Sequence, residues 1–175
     1  RHTMLLVTGS AAQGDILLAV KHTEQRDTPW QVTDLTDRTE LDADEPRYGI
    51  AEQLWQQIQQ GGGWYVKLNQ RVIAKPEVYA GVVYLTGAQP TAVGADCSLT
   101  DDAQSQLHAF HLHHAGLVYS RRNRDITQQG RGSLILTENE HGSLVLSLQH
   151  AAQQQTLLTE LLAIDASCAD CVTAV

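Results

Sequence analysis

Four histidines stand close together: His108, His111, His113 and His114. Because alternate side chains of a β-strand point to opposite faces, we expect His111 and His113 on one face and the other two on the opposite face. Two imidazoles on one face are candidate ligands of zinc or copper, but a closed site needs a third or fourth ligand. The favoured interpretation is therefore a polar hairpin end, with His111 and His113 as the metal candidates.

An acidic stretch is the second candidate for metal binding, and its members are Asp34, Asp37, Asp42, Asp44 and Glu45. Calcium takes several oxygen ligands from a tight loop, usually with a glycine at the sharp turn. The stretch lacks that spacing, so we interpret it as solvated surface charge.

Three cysteines are present: Cys97, Cys168 and Cys171. The close pair has the C-x-x-C spacing, but a redox motif also needs a helix N-terminus in a βαβ context, and a structural zinc site needs a second pair. The sequence contains no G-x-S-x-G, H-E-x-x-H or P-loop motif. No cofactor is predicted, and the chain is expected not to be an enzyme.

Composition narrows the class of protein. The 175 residues correspond to a single domain or a fragment of a longer protein. The net charge of −8 argues against nucleic acid as a partner, because such proteins carry a basic patch. No apolar run is long enough to span a bilayer, so no membrane span is expected.

The stretch from Gly61 to Pro90 organises the predicted elements. Before it, Ile50, Leu54 and Ile58 recur every four residues, which predicts a helix over about 49–60 with Gly61 as its C-cap. After it, alternating apolar residues predict strands. Further strands are predicted at 4–7, 16–20, 30–32, 64–68, 71–74, 82–86, 107–112, 117–119, 133–137 and 143–148. Residues 156–164 fit a strand or a helix.

A weak internal repeat predicts a repeated-sheet architecture. Three similar strands are each followed by a polar connection and a second apolar strand. The pairs are 5–9 with 17–20, 82–87 with 107–110, and 134–137 with 144–147.

Several short segments of the chain resemble the sequence motifs of a known protein family. They are Gly63-Trp64-Tyr65 with Leu68, Val72 with Pro76, Gly81 with Val83-Tyr84 and Thr86, Pro90 with Cys97, and the upstream segments 16–22 and 33–37. In order and spacing they resemble the C-terminal domain of PilY/PilC proteins, which are type IV pilus tip adhesins and biogenesis factors. The resemblance covers roughly residues 4 to 150.

The resemblance implies an all-β fold with one helix. The repeated strands are similar to blades of a quinoprotein-like β-propeller, best at 107–116, although His111 stands where the blades usually have aspartate. We therefore expect an antiparallel meander corresponding to the last blades of a propeller, with a helical insertion at about 49–60. Three such units do not close a ring.

The resemblance also implies a function without catalysis, in pilus biogenesis and surface adhesion. Its partners would be pilin or minor pilin subunits and a host or abiotic surface ligand. The location would be extracytoplasmic: pilus tip, cell surface or periplasm. Calcium binds elsewhere in the wider family, through a loop that this sequence lacks. Two alternatives remain: a fragment of a periplasmic quinoprotein-like dehydrogenase, or a propeller scaffold for outer-membrane assembly.

Individual residue roles follow from that location and architecture. Outside the cytoplasm, Cys168 and Cys171 are expected to form a local disulfide, while Cys97 matches the family cysteine and has no evident partner. Pro76 is expected at a strand start or edge. Trp64 and Tyr84 are expected on strands that pack against the helix through Leu54 and Ile58.

Overall fold

The fold is mostly β: of the described residues, 52% are in strands and 9% are helical. The computed structural model describes residues 3–11, 13–22, 28–41, 45–46, 49–89, 104–127, 132–150, 153–164 and 172–174, with side chains up to residue 161. Within these ranges there is one α-helix, α1 (Glu52–Gln60). The strands are β1 (Thr3–Ala11), β2 (Gly14–His22), β3 (Thr36–Asp37), β4 (Gly63–Lys67), β5 (Arg71–Val72), β6 (Glu77–Tyr79), β7 (Val82–Ala88), β8 (Ser105–His111), β9 (Asn123–Ile126), β10 (Ser133–Glu138), β11 (Leu144–His150), β12 (Gln153–Leu158), β13 (Leu162–Ile164) and β14 (Val172–Ala174).

The strands form four sheets, which confirms the expectation of antiparallel β-structure with one helix. The first sheet has the order β1-β2-β4-β3, the second β5-β7-β8-β9 with β6 also on β7, the third β10-β11-β12, and the fourth β13-β14. One pair departs from the antiparallel rule, since the two residues of β3 lie parallel to β4 and α1 lies in the connection. No closed barrel or propeller is detected in the described part of the chain.

The predicted internal repeat corresponds to three antiparallel strand pairs. β1 pairs with β2, β7 with β8, and β10 with β11, each in continuous register. In the third pair, Gly142 takes a positive φ of 76°, a conformation that is typical of tight hairpin turns. Each of the three similar sequence pairs therefore forms one strand pair in one of the first three sheets.

The second sheet separates two apolar cores. Strand β7 is buried on both faces, and its side chains alternate, so Val83 and Leu85 face one core while Val82 and Tyr84 face the other. We call the first the helix-side core; it contains Leu17, Ala19, Ile58, Trp64, Val66, Leu68, Val83, Leu85, Phe110 and Ala115. We call the second the C-terminal core; it contains Ala74, Val82, Tyr84, Leu107, Ala109, Val118, Leu134, Leu146, Leu148, Leu157, Leu158 and Leu161.

Helix α1 covers the helix-side core and is shorter than predicted. It begins at Glu52, after the backbone of Ala51, which supplies no side-chain cap. Ile50 packs on the core from outside the helix, so the four-residue apolar spacing extends beyond the helical turns. The helix ends as predicted at Gly61, whose N–H donates to the carbonyl of Gln57 at 2.9 Å.

The glycines after α1 allow a close approach to β2. Gly63 has a φ of +128°, and a Cβ atom there would lie 2.0 Å from the carbonyl oxygen of Ala19. A side chain at this position is therefore incompatible with the pairing of β4 and β2. This places Trp64 directly behind the reversal, in the helix-side core.

Two predicted strands are wrong. Residues 30–32 lead into a 3₁₀ turn at Val32–Asp34, and the N–H of Gln31 donates to Asp34 Oδ2 at 3.0 Å. Residues 117–119 are irregular, and β8 pairs instead with β9, which lies in a polar segment where no strand is predicted. β9 is an edge strand, and the polar side chains on its solvent side conceal the apolar alternation.

Candidate functional site

The histidines meet at the end of β8, although not in the predicted arrangement. β8 ends at His111, and the turn that follows carries His113 and His114. Ala115 has a positive φ of 54°, and its N–H donates to the carbonyl of His111 at 2.8 Å. This tight turn stacks the rings of His111 and His114 with centroids 3.7 Å apart, so the prediction that they lie on opposite faces is wrong.

His111 and His113 lie near each other, with ring centroids 5.7 Å apart. The N–H of His113 donates to Nδ1 of His111 at 3.2 Å. Among the described residues, no group of three or more His, Cys, Asp or Glu side chains is placed to hold a metal ion. The described geometry thus adds no further ligand to this pair.

His114 is fully buried against α1 and is neutral. Its Nδ1 accepts the N–H of Gly116 at 3.1 Å, and the ring meets Trp55 edge-on, with centroids 6.3 Å apart. Burial lowers the pKa of His114 to about 2, with smaller contributions from His111 and Arg38. Its Nε2 finds no hydrogen-bond partner among the described residues.

His108 lies three residues earlier on β8, and its side chain forms a hydrogen bond with a different segment of the chain. Its Nε2 lies 2.8 Å from Oε1 of Gln70, and because a carbonyl oxygen can only accept, the imidazole donates here. The ring stacks on Phe110, with centroids 5.9 Å apart. Burial, followed by the nearby Arg122 guanidinium, lowers the pKa of His108 to about 4.

Two arginines connect the histidine turn to the segment after β3. Arg38 is 2% exposed; its Nε–H donates to the carbonyl of His114 at 2.9 Å, and its Nη2 pairs with Glu45. Arg122 donates to the carbonyls of Arg38 at 2.6 Å and Ala115 at 2.5 Å. Burial, followed by the charge of Arg38, lowers the pKa of Arg122 to about 10.

The expectation that the acidic stretch is solvated surface charge is wrong at Glu45. Its side chain is 3% exposed and paired with Arg38, while its Oε2 is buried without a partner in the described part of the chain. Asp37 does lie at the surface, where it accepts the hydroxyl of Tyr65 at 2.7 Å. Asp42 and Asp44 lie outside the described residues.

Structural roles are predicted for Pro76, Trp64 and Tyr84, and each of them lies in a strand or immediately before one. Pro76 immediately precedes β6, as expected. Trp64 is fully buried with Ile58, and its indole N–H donates to the carbonyl of Leu112 at 2.9 Å. The prediction for Tyr84 is wrong, because this residue faces the C-terminal core rather than the helix.

Tyr84 faces away from α1 because it alternates with Val83 and Leu85 along β7. Its hydroxyl lies 3.0 Å from that of Tyr119, which donates to the carbonyl of Glu160 at 3.2 Å. Tyr84 therefore links β7 to the segment after β12.

Asp15 is a connecting residue that the sequence pattern did not indicate. It lies on β2, and its carboxylate pairs with Arg71 at 2.8 Å and accepts the N–H of Val72 at 2.8 Å. Burial acts to raise its pKa, but these hydrogen bonds outweigh burial and lower it. Asp15 thus joins the first sheet to β5 of the second.

The buried cluster of Arg38, Glu45, His108, His111, His114 and Arg122 is the candidate functional site; we call it the polar cluster. Its imidazoles and carbonyl-bound guanidinium groups hold three distant segments together. The burial of Arg38, Glu45 and Arg122 was missed because nothing in their local pattern distinguishes them from surface charges. The disulfide candidates Cys168 and Cys171, and also Cys97, lie outside the described residues.

Comparison of the chain with protein-family models, with curated proteins and with solved structures finds no match in any of the three. In the described part of the chain, no helix is long and apolar enough to cross a membrane.

Proposed function

We propose that this chain is a non-catalytic, type IV pilus-associated protein, similar to the PilY/PilC tip adhesins, acting in pilus biogenesis and surface adhesion. The finer architecture belongs to the same proposal: the sheets are successive blades of a quinoprotein-like propeller, and the chain is a fragment of that domain. The location is extracytoplasmic, and the partners are pilin or minor pilin subunits and a surface ligand.

The observation that carries the proposal is the stacking of three antiparallel strand pairs in chain order. The second sheet has one buried core on each face, as a blade has when it lies between its neighbours. The motif residues that resemble the PilY/PilC pattern lie within this stack: Trp64 on β4, and Val83, Tyr84 and Thr86 on β7, all fully buried. Their burial gives a physical reason for the pattern of residue types on which the resemblance rests.

The polar cluster supports a structural role for its side chains. Arg38 and Arg122 donate to backbone carbonyls of distant segments, which fixes the orientation of the first sheet on the second. A rigid stack of sheets suits a protein that presents loops to a partner, because binding residues are usually carried by loops on a rigid scaffold.

Deletion of the gene in its native strain, followed by complementation, tests the pilus function. We expect deletion to reduce surface pili and twitching motility, and the intact gene to restore both. A Trp64→Ala gene, which removes a core side chain, should restore less than a Lys75→Ala gene, which changes an exposed residue. Normal piliation and motility in the deletion strain would contradict the proposal.

The two alternative functions predict other outcomes of the same deletion. A quinoprotein-like dehydrogenase fragment predicts loss of a quinone-dependent oxidation in the periplasmic fraction. An assembly scaffold predicts depletion of outer-membrane proteins. Neighbouring minor pilin genes favour the pilus function, whereas neighbouring cytochrome genes favour the dehydrogenase.

A further inference from the structure

A cavity of about 310 Å³ lies beside β8 and β9, at the edge of the C-terminal core. Leu107, Ala109 and Leu158 supply its apolar wall. Arg121 and Arg124 also line it. Apolar walls with a few convergent polar groups are typical of small-molecule sites, whose volumes start at about 300 Å³.

Strand register explains why an arginine lies on this apolar wall. Arg124 is paired directly with Leu107, so the two side chains share one face of the sheet. Ile126, two residues further along β9, packs on the same core. Arg124 is nevertheless exposed, so its charge stays in contact with water at this edge of the core.

The two arginines are available to a ligand. Both are exposed, and among the described residues neither has a carboxylate within ion-pairing distance. The neighbouring Asp125 accepts the side-chain amide of Gln106 at 2.8 Å. Arg122 also lines the cavity but differs from both, because its guanidinium lies over the ring of Phe110 and binds the carbonyl of Ala115.

We propose that this cavity binds a small amphipathic carboxylate, such as a medium-chain fatty acid. The carboxylate accepts hydrogen bonds from Arg121 and Arg124, and the apolar tail lies on Leu107, Ala109 and Leu158. Since a water molecule takes about 30 Å³ of liquid, the cavity has room for roughly ten non-hydrogen atoms, which is the size of octanoate. This proposal is independent of the pilus function.

Titration of the protein with octanoate, followed by calorimetry and by amide NMR shifts, tests the proposal. We expect a dissociation constant of about 0.1–1 mM and shifts confined to β8, β9, the residues around 119–124 and the end of β12 at Leu158. Acetate lacks the tail and octanol lacks the charge, so each should bind at least about tenfold more weakly. No binding of octanoate at about 10 mM, or shifts centred elsewhere, overturns the proposal.

The variant R121Q/R124Q removes both positive charges and should weaken octanoate binding at least about tenfold. The matched control K67Q/K75Q removes two exposed charges on other segments and should leave binding unchanged. All four side chains are exposed, so both variants should fold, which circular dichroism verifies. Equal binding by both variants would show that net charge alone, or the tail alone, drives association, and the proposed site would be wrong.

Discussion

The two faces of the second sheet are stabilised in different ways. On the helix-side face and its rim, charged and titratable groups are buried: Arg38 is 2% exposed and His114 is fully buried. Apart from His111 at the end of β8, the buried polar groups of β7 and β8 on the face of the C-terminal core are the hydroxyls of Thr86 and Ser105. The arginines of the polar cluster donate hydrogen bonds to backbone carbonyls, whereas the C-terminal core has an open cavity at its edge.

This difference shows two physical contributions: one holds the sheets together, and the other sets their relative orientation. Apolar burial holds either pair of sheets together, because it depends mainly on the area removed from water. Hydrogen bonds from Arg38 and Arg122 to specific carbonyls also define how the first sheet sits on the second, because they tolerate little displacement. We therefore expect the helix-side face to be the more sensitive to single substitutions.

Replacing Trp64 by alanine should have the largest effect. The change empties a fully buried site and leaves the carbonyl of Leu112 without its indole donor. We expect a loss of about 3–5 kcal/mol in the free energy of unfolding, measured by urea denaturation. Hydrogen exchange should accelerate first in β2 and β4; equal acceleration in β10 and β11 would show that the two cores are not separable.

Replacing Arg38 by methionine should cost nearly as much, because it leaves Glu45 buried without its ion-pair partner. We expect a loss of about 3–5 kcal/mol by the same measurement. The control is Lys67→Met, which removes a surface pair with Asp37 at 3.7 Å and should cost less than about 1 kcal/mol. Similar losses in the two variants would mean that the Arg38 pair is solvated in solution.

Acidification should destabilise the helix-side face through its neutral histidines. The folded-state pKa of His108 is about 4, below the ordinary value of 6.5, so the unfolded chain binds a proton that the folded chain does not. Stability should be complete above pH 6.5, fall between pH 6.5 and 4, and lose on the order of 3 kcal/mol from this group. His114 acts in the same direction to lower pH.

The variant His108→Gln isolates that contribution. Its free energy of unfolding should depend less steeply on pH between 6.5 and 4, whatever its stability at neutral pH. His22→Gln, at an exposed strand end, should keep the parent slope. An unchanged slope in His108→Gln would show that the imidazole is solvated or that it is protonated at no cost.

His113→Ala should have the smallest effect, within about 0.5 kcal/mol of the parent, because its side chain is exposed on the turn. Thermal denaturation beside Trp64→Ala checks the order of the two. A greater loss from His113→Ala would identify the histidine turn as the organising feature, as a metal site would be, and addition of a chelator to the parent would then lower its midpoint.

Short-range patterns in the sequence predicted most of the elements. The spacing of Leu54 and Ile58 predicted α1, and Gly61 predicted its end, because both signals lie within a few residues of the structure that they specify. The three similar strand pairs were recognised for the same reason. By contrast, β9 was missed because its solvent face is polar and its apolar face bears an arginine.

The candidate site was predictable only in part. The histidines are recognisable from their density in the sequence, but the turn at Ala115 rather than strand alternation determines which rings meet. Glu45 and Arg38 are seven residues apart in a stretch that has the composition of a surface loop, and their burial depends on the distant carbonyl of His114. Such pairings leave no periodic signal in either segment.

The sequence by itself determined the β class, the helix and the place of Trp64 behind the glycine reversal, because periodicity and backbone freedom act locally. Only the tertiary structure decided that Tyr84 faces away from the helix and that Arg122 binds backbone carbonyls while Arg124 lines a cavity. These outcomes depend on which sheet covers which face of β7 and β8. That choice is made by contacts between residues far apart in the chain.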